Sequence, residues 1–377
     1  MTTERRDSPA DPRLLDTLKR DFRDVGSDVW QKGWRGTGGR TFAELEAFYL
    51  STHAKQRLSE MGVVKRWLVL SWWLLKSLLL KLTPARRVLL AISLVLLVTG
   101  FQTVSINAGS RIGLRFPVFG TILLLVVLML ELKDKLLARD ELEAGRKVQL
   151  ALMPERGPRV PGWELWLYTQ PANDVGGDLV DYLQIDERRY GVTLGDVAGK
   201  ALPAALLMAK LQATLRALVP QFEDLSALGA AVNRILCRDG LPNRFATLVY
   251  LELTAGSGSV RLLNAGHMPP FVIRGSRIEE LPPGSVALGI VAPAAFTEQR
   301  VEIADGDTLV VYSDGITEAM SASGEFFGED RLRVLLNEGA GRPPAELGTR
   351  VLAAVGSFVG AARPHDDISI VVLRRAH

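Results

Sequence analysis

Five aspartates stand beside glycine or at the mouth of a strand-like run, where a short carboxylate can be presented to a ligand. Asp178 follows Val175-Gly176-Gly177. Asp196 follows the alternating run 190–195 and precedes Val197-Ala198-Gly199. Asp314 follows the run 308–313 and precedes Gly315, and Asp366 and Asp367 open the run 368–373. Singly, each has an ordinary reading, because Asp-Gly is a common turn and Asp often caps a helix. Together, five aspartates in four strand-end settings exceed what turns require. If they converge unpaired, mutual repulsion costs several kcal/mol and raises their pKa values. Hard divalent cations relieve that, and all-oxygen ligation with retained waters suits Mg²⁺ and Mn²⁺. Other metal chemistry is disfavoured: there is one cysteine, Cys237, and the four histidines, His53, His267, His365 and His377, are scattered.

The elements that must carry these residues are legible from periodicity. Runs at 163–169, 182–185, 190–195, 245–253, 260–264, 271–273, 308–313 and 368–373 read as strands, and 203–219, 225–238, 329–336 and 344–358 as helices. Many strands with helices inserted in pairs imply an α+β sandwich of two sheets with helices outside. That domain occupies 154–377. A helix over 131–152, with Leu132, Leu136, Leu142 and Leu150 among alternating charges, leads into it as a linker at 133–153 and could pair with a second copy of the chain. Met153-Pro154 ends it.

Upstream the chain changes character. Residues 88–106 carry no charge, and as a helix would span ~28 Å, enough for a bilayer core. Residues 117–130 form a second apolar run, and 107–115 have the composition of a tight connection, so 88–132 read as a two-helix membrane hairpin. Lys and Arg flank both outer ends while only Arg111 and Arg115 lie between, which predicts both termini on the cytoplasmic side of the membrane. The tryptophan-bearing stretch within 65–87 reads as a basic interfacial helix, with a third span as the alternative. Residues 1–64 are polar, offer no chemistry, and contain no apolar core of a cleaved signal peptide within the first 40. The net charge of +3, from 45 basic and 42 acidic residues, argues against a nucleic-acid partner.

The ordered segments QPANDVGGDLVDY (170–182), GVTLGDVAGKALPAALLMA (191–209), LLNAGHMPPFVIR (262–274), LVVYSDGITEAMSASGEFFGEDRL (309–332) and HDDISIVVL (365–373) resemble the bacterial branch of the PP2C-type (PPM) serine/threonine phosphatases, that of the SpoIIE- and RsbU-like regulators. The resemblance covers about 145–375. It implies a β-sandwich of two antiparallel sheets flanked by helices, with two Mn²⁺ or Mg²⁺ ions at one end. Asp196 would bridge both ions, the Val197 carbonyl would complete one, Asp314 and Asp366 would ligate directly, and Asp178 would hold bound waters. Asp367, Gly177 and Gly315 would support that set from behind. A metal-activated water would attack a phosphoserine or phosphothreonine phosphorus in line, making Asp196 and Asp178 the catalytic pair. The implied substrate is a phosphorylated protein, an antagonist of an anti-sigma factor in a partner-switching pathway. Lys200, Pro203 and Met208, at the start of the helix after Asp196, would carry regulation relayed from the linker helix.

Three features depart from the family pattern. Ala201 stands where a second glycine is usual, Leu179 and Val180 replace aromatic residues, and no phosphate-binding arginine lies near Asn173. None removes a ligand. The competing function is a catalytically silent membrane signalling module, which would not need the acidic set. An aspartyl-nucleophile phosphatase needs an Asp-x-Asp that Ser313-Asp314-Gly315 lacks, and no base-stacking cluster supports a nucleotide phosphodiesterase. His267 could donate a proton, or simply satisfy a loop carbonyl.

Overall fold

The computed structural model describes residues 69, 76, 79–99, 101–107, 110–154, 158–239, 244–360 and 364–376, with 101–107 and 110–115 given as backbone course alone. The segment 1–64 and most of 65–87 lie outside the described residues. The chain divides into two compact units, Met1–Asp134 and Lys135–His377.

In the first unit, helix α1 (Pro84–Val98) starts on a proline at its first turn, where no amide donor is lost, and stops at Thr99, whose hydroxyl bonds back to the Val95 carbonyl at 2.6 Å. Strands β1 (Phe101–Asn107) and β2 (Ser110–Arg115) follow as an antiparallel pair. This corrects two sequence expectations. The predicted 88–106 helix is cut to 15 residues, about 22 Å, and the predicted connection over 107–115 contains a second strand, Ser110–Arg115, paired with the first. The reason is that Thr103-Val104-Ser105-Ile106 alternates polar and apolar with period two, a strand pattern hidden inside an uncharged run.

Helix α2 then runs unbroken over Phe116–Leu152. It lies antiparallel to α1 in the first unit: Arg86 reaches Glu131 at 2.8 Å and Asp134 at 2.6 Å, and Gly120 lies against buried Ser93, where a Cβ would stand 2.8 Å from the Ser93 carbonyl. Small residues that let two backbones approach are a membrane-helix device. Val118, Phe119, Ile122, Leu125, Leu128 and Met129 remain exposed on α2. By length and composition, α2 and the stretch Ala201–Gln221 are both apolar enough to cross a membrane. The second is a core helix, because its Ala204, Met208, Leu211 and Leu215 are buried against sheet residues such as Leu248 and Tyr250.

The second unit is the α+β sandwich. Its strands are β3 (Trp163–Gln170), β4 (Leu179–Gln184), β5 (Arg189–Val197), β6 (Ala246–Thr254), β7 (Ser259–Ala265), β8 (Phe271–Arg274), β9 (Arg277–Glu280), β10 (Glu298–Glu302), β11 (Thr308–Tyr312) and β12 (Ile368–Arg375). One sheet is ordered β10-β7-β6-β5-β4, the other β3-β12-β11-β8-β9, and neighbours pair antiparallel. A shared core of Val192, Leu194, Leu251, Leu262, Val311, Val371 and their neighbours fills the space between them. Helices α3 (Ala201–Leu218) and α4 (Leu225–Asp239) cover the first sheet, and α6 (Glu329–Glu338) and α7 (Pro344–Val359) the second, with a single turn, α5 (Asp314–Thr317), after β11. The sequence reading missed β9 and β10, whose runs RIEE and EQRVE are charged because they form sheet edges.

Candidate active site

Register decides where the carboxylates fall. Leu179 pairs with Gly195 across β4 and β5, so Asp178 and Asp196 flank the same end of the first sheet. In the second sheet Tyr312 pairs with Ile370. Beyond that pair, Ser313 and Ser369 interlock: the Ser313 amide donates to the Ser369 carbonyl, the Ser369 amide donates to the Ser313 hydroxyl, and that hydroxyl donates to the Asp367 carbonyl. Asp314 and Asp366 therefore leave their strands side by side. Gly315 is required there, because a Cβ would collide with the Asp367 carbonyl. Gly177 leaves little room for a side chain: a Cβ would stand 3.0 Å from the Val197 carbonyl and 3.5 Å from the Asp196 carboxylate.

The electrostatics tie the two sheet ends together. Burial, then the charges of Asp314, Asp366 and Asp367, push Asp196 up to about 6. Burial, then Asp196, push Asp178 well above the usual carboxylate range, and nearby Ser369 and Ser313 hold it back only in part. Burial, then Asp366 and Glu318, raise Asp314. Glu318, one turn after Asp314, is an acidic member that sequence reading passed over, although its spacing of four on a helix signals it. One oxygen of Asp178, Oδ2, is buried with no hydrogen-bond partner.

Asp367 takes a different position. Its Oδ1 accepts the Ala172 amide at 2.8 Å, and its Oδ2 accepts the Gly177 amide at 2.6 Å and the Asp178 amide at 3.3 Å. It anchors the 171–178 loop rather than presenting free oxygens. Gln149 of α2, 4% exposed, clamps the same loop: its amide donates to the Gly176 carbonyl at 2.8 Å, and its oxygen accepts the Gly176 amide at 3.1 Å. Gln212 of α3 donates to the Leu152 carbonyl at 2.7 Å, and Leu152, Met153 and buried Met208 meet Asp178–Val180. The end of α2 thus touches the loop bearing Asp178 and the helix following Asp196.

At the rim, the Lys200 ammonium donates to the His365 carbonyl at 2.9 Å and lies 3.1 Å from Asp366 Oδ2. Ala201 adopts φ +61°, a left-handed conformation that a Cβ disfavours, at the position where the resemblance expects glycine. Arg244 packs over Gly199 and donates to the Ala198 carbonyl at 2.7 Å, a second cation near the site that sequence reading missed. Pro203 lies exposed on the first turn of α3. His267 is buried with both ring nitrogens engaged, one of them on the Tyr312 carbonyl, which favours the second of its two readings, a satisfied carbonyl, over a proton donor.

Among the described residues no three His, Cys, Asp or Glu side chains lie close enough to enclose an ion as they stand. The donors nevertheless fit divalent cations in kind. They are oxygen ligands whose burial and mutual repulsion raise the proton affinity of Asp178, Asp196 and Asp314, a cost that a cation would relieve, and one carries an orphaned buried oxygen.

The family described as Stage II sporulation protein E (SpoIIE) matches residues 186–376, just over half of the chain. Protein IcfG of Synechocystis is 27% identical over 275 residues, covering 65% of this chain and 43% of that protein. The phosphoserine phosphatase RsbU of Bacillus subtilis is 24% identical over 239 residues, covering 63% of this chain and 70% of that protein. The chain therefore spans less than half the length of the first relative. The SiaA PP2C domain of Pseudomonas aeruginosa superposes with a TM-score of 0.56 at 20% identity, covering 64% of this chain and 98% of that one. Two antiparallel sheets in this order, helices outside, and acidic strand ends facing one another agree with these likenesses: the chain belongs to the SpoIIE family, and its C-terminal unit has the fold of the PP2C-type phosphatases.

Proposed function

We propose that this protein is a membrane-anchored, metal-dependent serine/threonine phosphatase that hydrolyses phosphoserine or phosphothreonine on a partner protein. The observation that carries the reading is the joint elevation of Asp178, Asp196 and Asp314, which lie on different strand ends and have no nearby excess of positive charge to compensate them. Asp196, Asp314, Asp366 and the Val197 carbonyl would hold two Mn²⁺ or Mg²⁺ ions, with Asp178 orienting bound water. Bound there, such ions supply a nucleophilic hydroxide near neutral pH and clamp phosphoryl oxygens. The protein's own part is positioning. The paired serines hold Asp314 and Asp366 in register, Asp367 and Gln149 hold the Asp178 loop, and Gly177 lets that loop approach Asp196. Lys200 and Arg244 offer cations for the substrate phosphate, which no arginine near Asn173 provides.

The likeness to RsbU supports a phosphorylated antagonist of an anti-sigma factor as substrate. Contacts of Gln149 and Gln212 support the end of α2 as the route by which a signal reaches Lys200, Pro203 and Met208. Exposed Leu136, Leu137, Val148 and Leu150 on α2 support pairing with a second copy. We place α1 and the first part of α2 in the bacterial inner membrane as a hairpin, with both termini and the sandwich cytoplasmic. At about 22 Å, α1 falls short of the ~30 Å hydrocarbon core, so local bilayer thinning or shallow insertion accommodates it.

A second reading has one observation in its favour: Lys200 already sits on Asp366, and the carboxylates are not closed on a point. That would suit a silent signalling module. Full-length protein in detergent, assayed on an aryl phosphate and a phosphoserine peptide with Mn²⁺, Mg²⁺ or chelator, separates the two. Metal-dependent turnover lost in Asp196→Asn supports the phosphatase. Neither turnover nor Mn²⁺ binding supports the silent module.

A further inference from the structure

Between the two sheet ends lies a buried hydrogen-bonded chain that belongs to no carboxylate. His267, 7% exposed, sits after β7 in a turn cross-braced by Asn264, whose side chain accepts the His267 amide at 2.9 Å and donates to the His267 carbonyl at 3.0 Å. Its Nε2 lies 3.0 Å from the Tyr312 carbonyl, and its Nδ1 lies 2.8 Å from the Thr247 hydroxyl. A carbonyl can only accept, so Nε2 carries the proton and Nδ1 accepts from Thr247. Each end of this chain touches a strand bearing a carboxylate of the site. Thr247 pairs directly with Asp196 across β5 and β6, and its hydroxyl lies 3.4 Å from the Asp196 carbonyl. Tyr312 ends β11, two residues before Asp314.

The facing surfaces of the sheets meet through apolar side chains, which slide past one another at little cost because such contacts lack direction, while Asp367, bonded to the Gly177 and Asp178 amides, is a further polar tie at the site end. A ring of fixed length bonded at both edges does not slide. Spacing between Asp196, on one sheet, and Asp314, on the other, is what a binuclear oxygen site must fix, since Mg²⁺ demands near-ideal geometry. We infer that His267 is a positioning residue: the Thr247–His267–Tyr312 chain sets the separation of the two sheet ends and thereby the affinity of the carboxylates for divalent cations. The inference rests on reading those carboxylates as a metal centre.

The test uses full-length protein in detergent and titrates Mn²⁺ calorimetrically, with thermal unfolding of the same samples in chelator. The variants are Thr247→Val, which keeps shape and removes only the hydroxyl, His267→Ala, and His267→Gln, whose amide nitrogen can reach the Tyr312 carbonyl as Nε2 does. Trp163→Phe is the control, since it removes a buried bond to the Ser257 carbonyl at the opposite end of β12. Thr247→Val and His267→Ala are expected to weaken Mn²⁺ binding at least tenfold, and His267→Gln is expected to recover most of that loss. Trp163→Phe should lower the melting temperature with Mn²⁺ affinity unchanged. Variants that melt earlier yet bind Mn²⁺ within twofold of the parent would reduce His267 to an ordinary core residue and overturn the inference. Parent protein that binds no Mn²⁺ would overturn the metal reading itself, and this inference with it.

Discussion

Asp196 shows what a buried carboxylate among like charges costs its fold. Its pKa stands at about 6 against 3.8 for an ordinary aspartate, and a raised pKa means that the folded form prefers the proton. The stability this contributes is complete below about pH 4 and is lost as pH rises through about 6. Above that the ionised group is a net burden, on the order of 1–3 kcal/mol. Asp196→Asn is therefore expected to melt with the parent near pH 4 and to melt higher at pH 7 in chelator, while losing cation binding. A lower melting point at pH 7 would contradict this reading. Ala201 carries a burden of another kind. A left-handed alanine costs about 1–2 kcal/mol, and glycine would regain part of that at an entropic cost of ~0.5–1 kcal/mol. Ala201→Gly should stabilise the protein by about 0.5–1 kcal/mol in urea unfolding. Destabilisation would mean that the residue is right-handed in solution.

At the scale of elements, the contact between α2 and the 171–178 loop is the one that couples the two parts of the site's support. Gln149→Leu leaves the buried Gly176 amide and carbonyl unpaired. Each unmade bond costs about 1–3 kcal/mol, so a loss of about 2–6 kcal/mol is expected. Hydrogen exchange at Gly176, Gly177 and Asp178 should rise more than at the opposite strand ends. Uniform change across the sheet would point instead to global loosening. Arg216, bidentate on buried Asp181 at 2.6 and 2.8 Å, pins the far end of α3 to β4. Any movement of that helix is then concentrated at its start, where Lys200 and Ala201 lie.

For the molecule as a whole, membrane attachment and orientation are open to a direct experiment. A cysteine placed at Ala108 in a Cys237→Ser background should react with an impermeant maleimide on intact cells. Reaction only after lysis would overturn the proposed insertion. The sequence by itself determined the sandwich and singled out the acidic residues as candidates, because period-two strands, helices of ordinary length and Asp beside Gly are local signals read within a few residues. It also marked Ala201 as a departure from a glycine. It misread 88–106, because absence of charge signals burial in lipid or protein without distinguishing helix from strand, and it missed the charged edge strands for the converse reason. Only the tertiary structure decided which oxygens are free. Asp366 and Asp367 are adjacent and chemically identical, yet one faces Lys200 and the other spends its oxygens on three amides. Likewise the roles of Gln149, Arg244 and His267 depend on partners that are remote in the chain. Spacing in sequence carries no record of such pairings, which exist only once the strand register is closed.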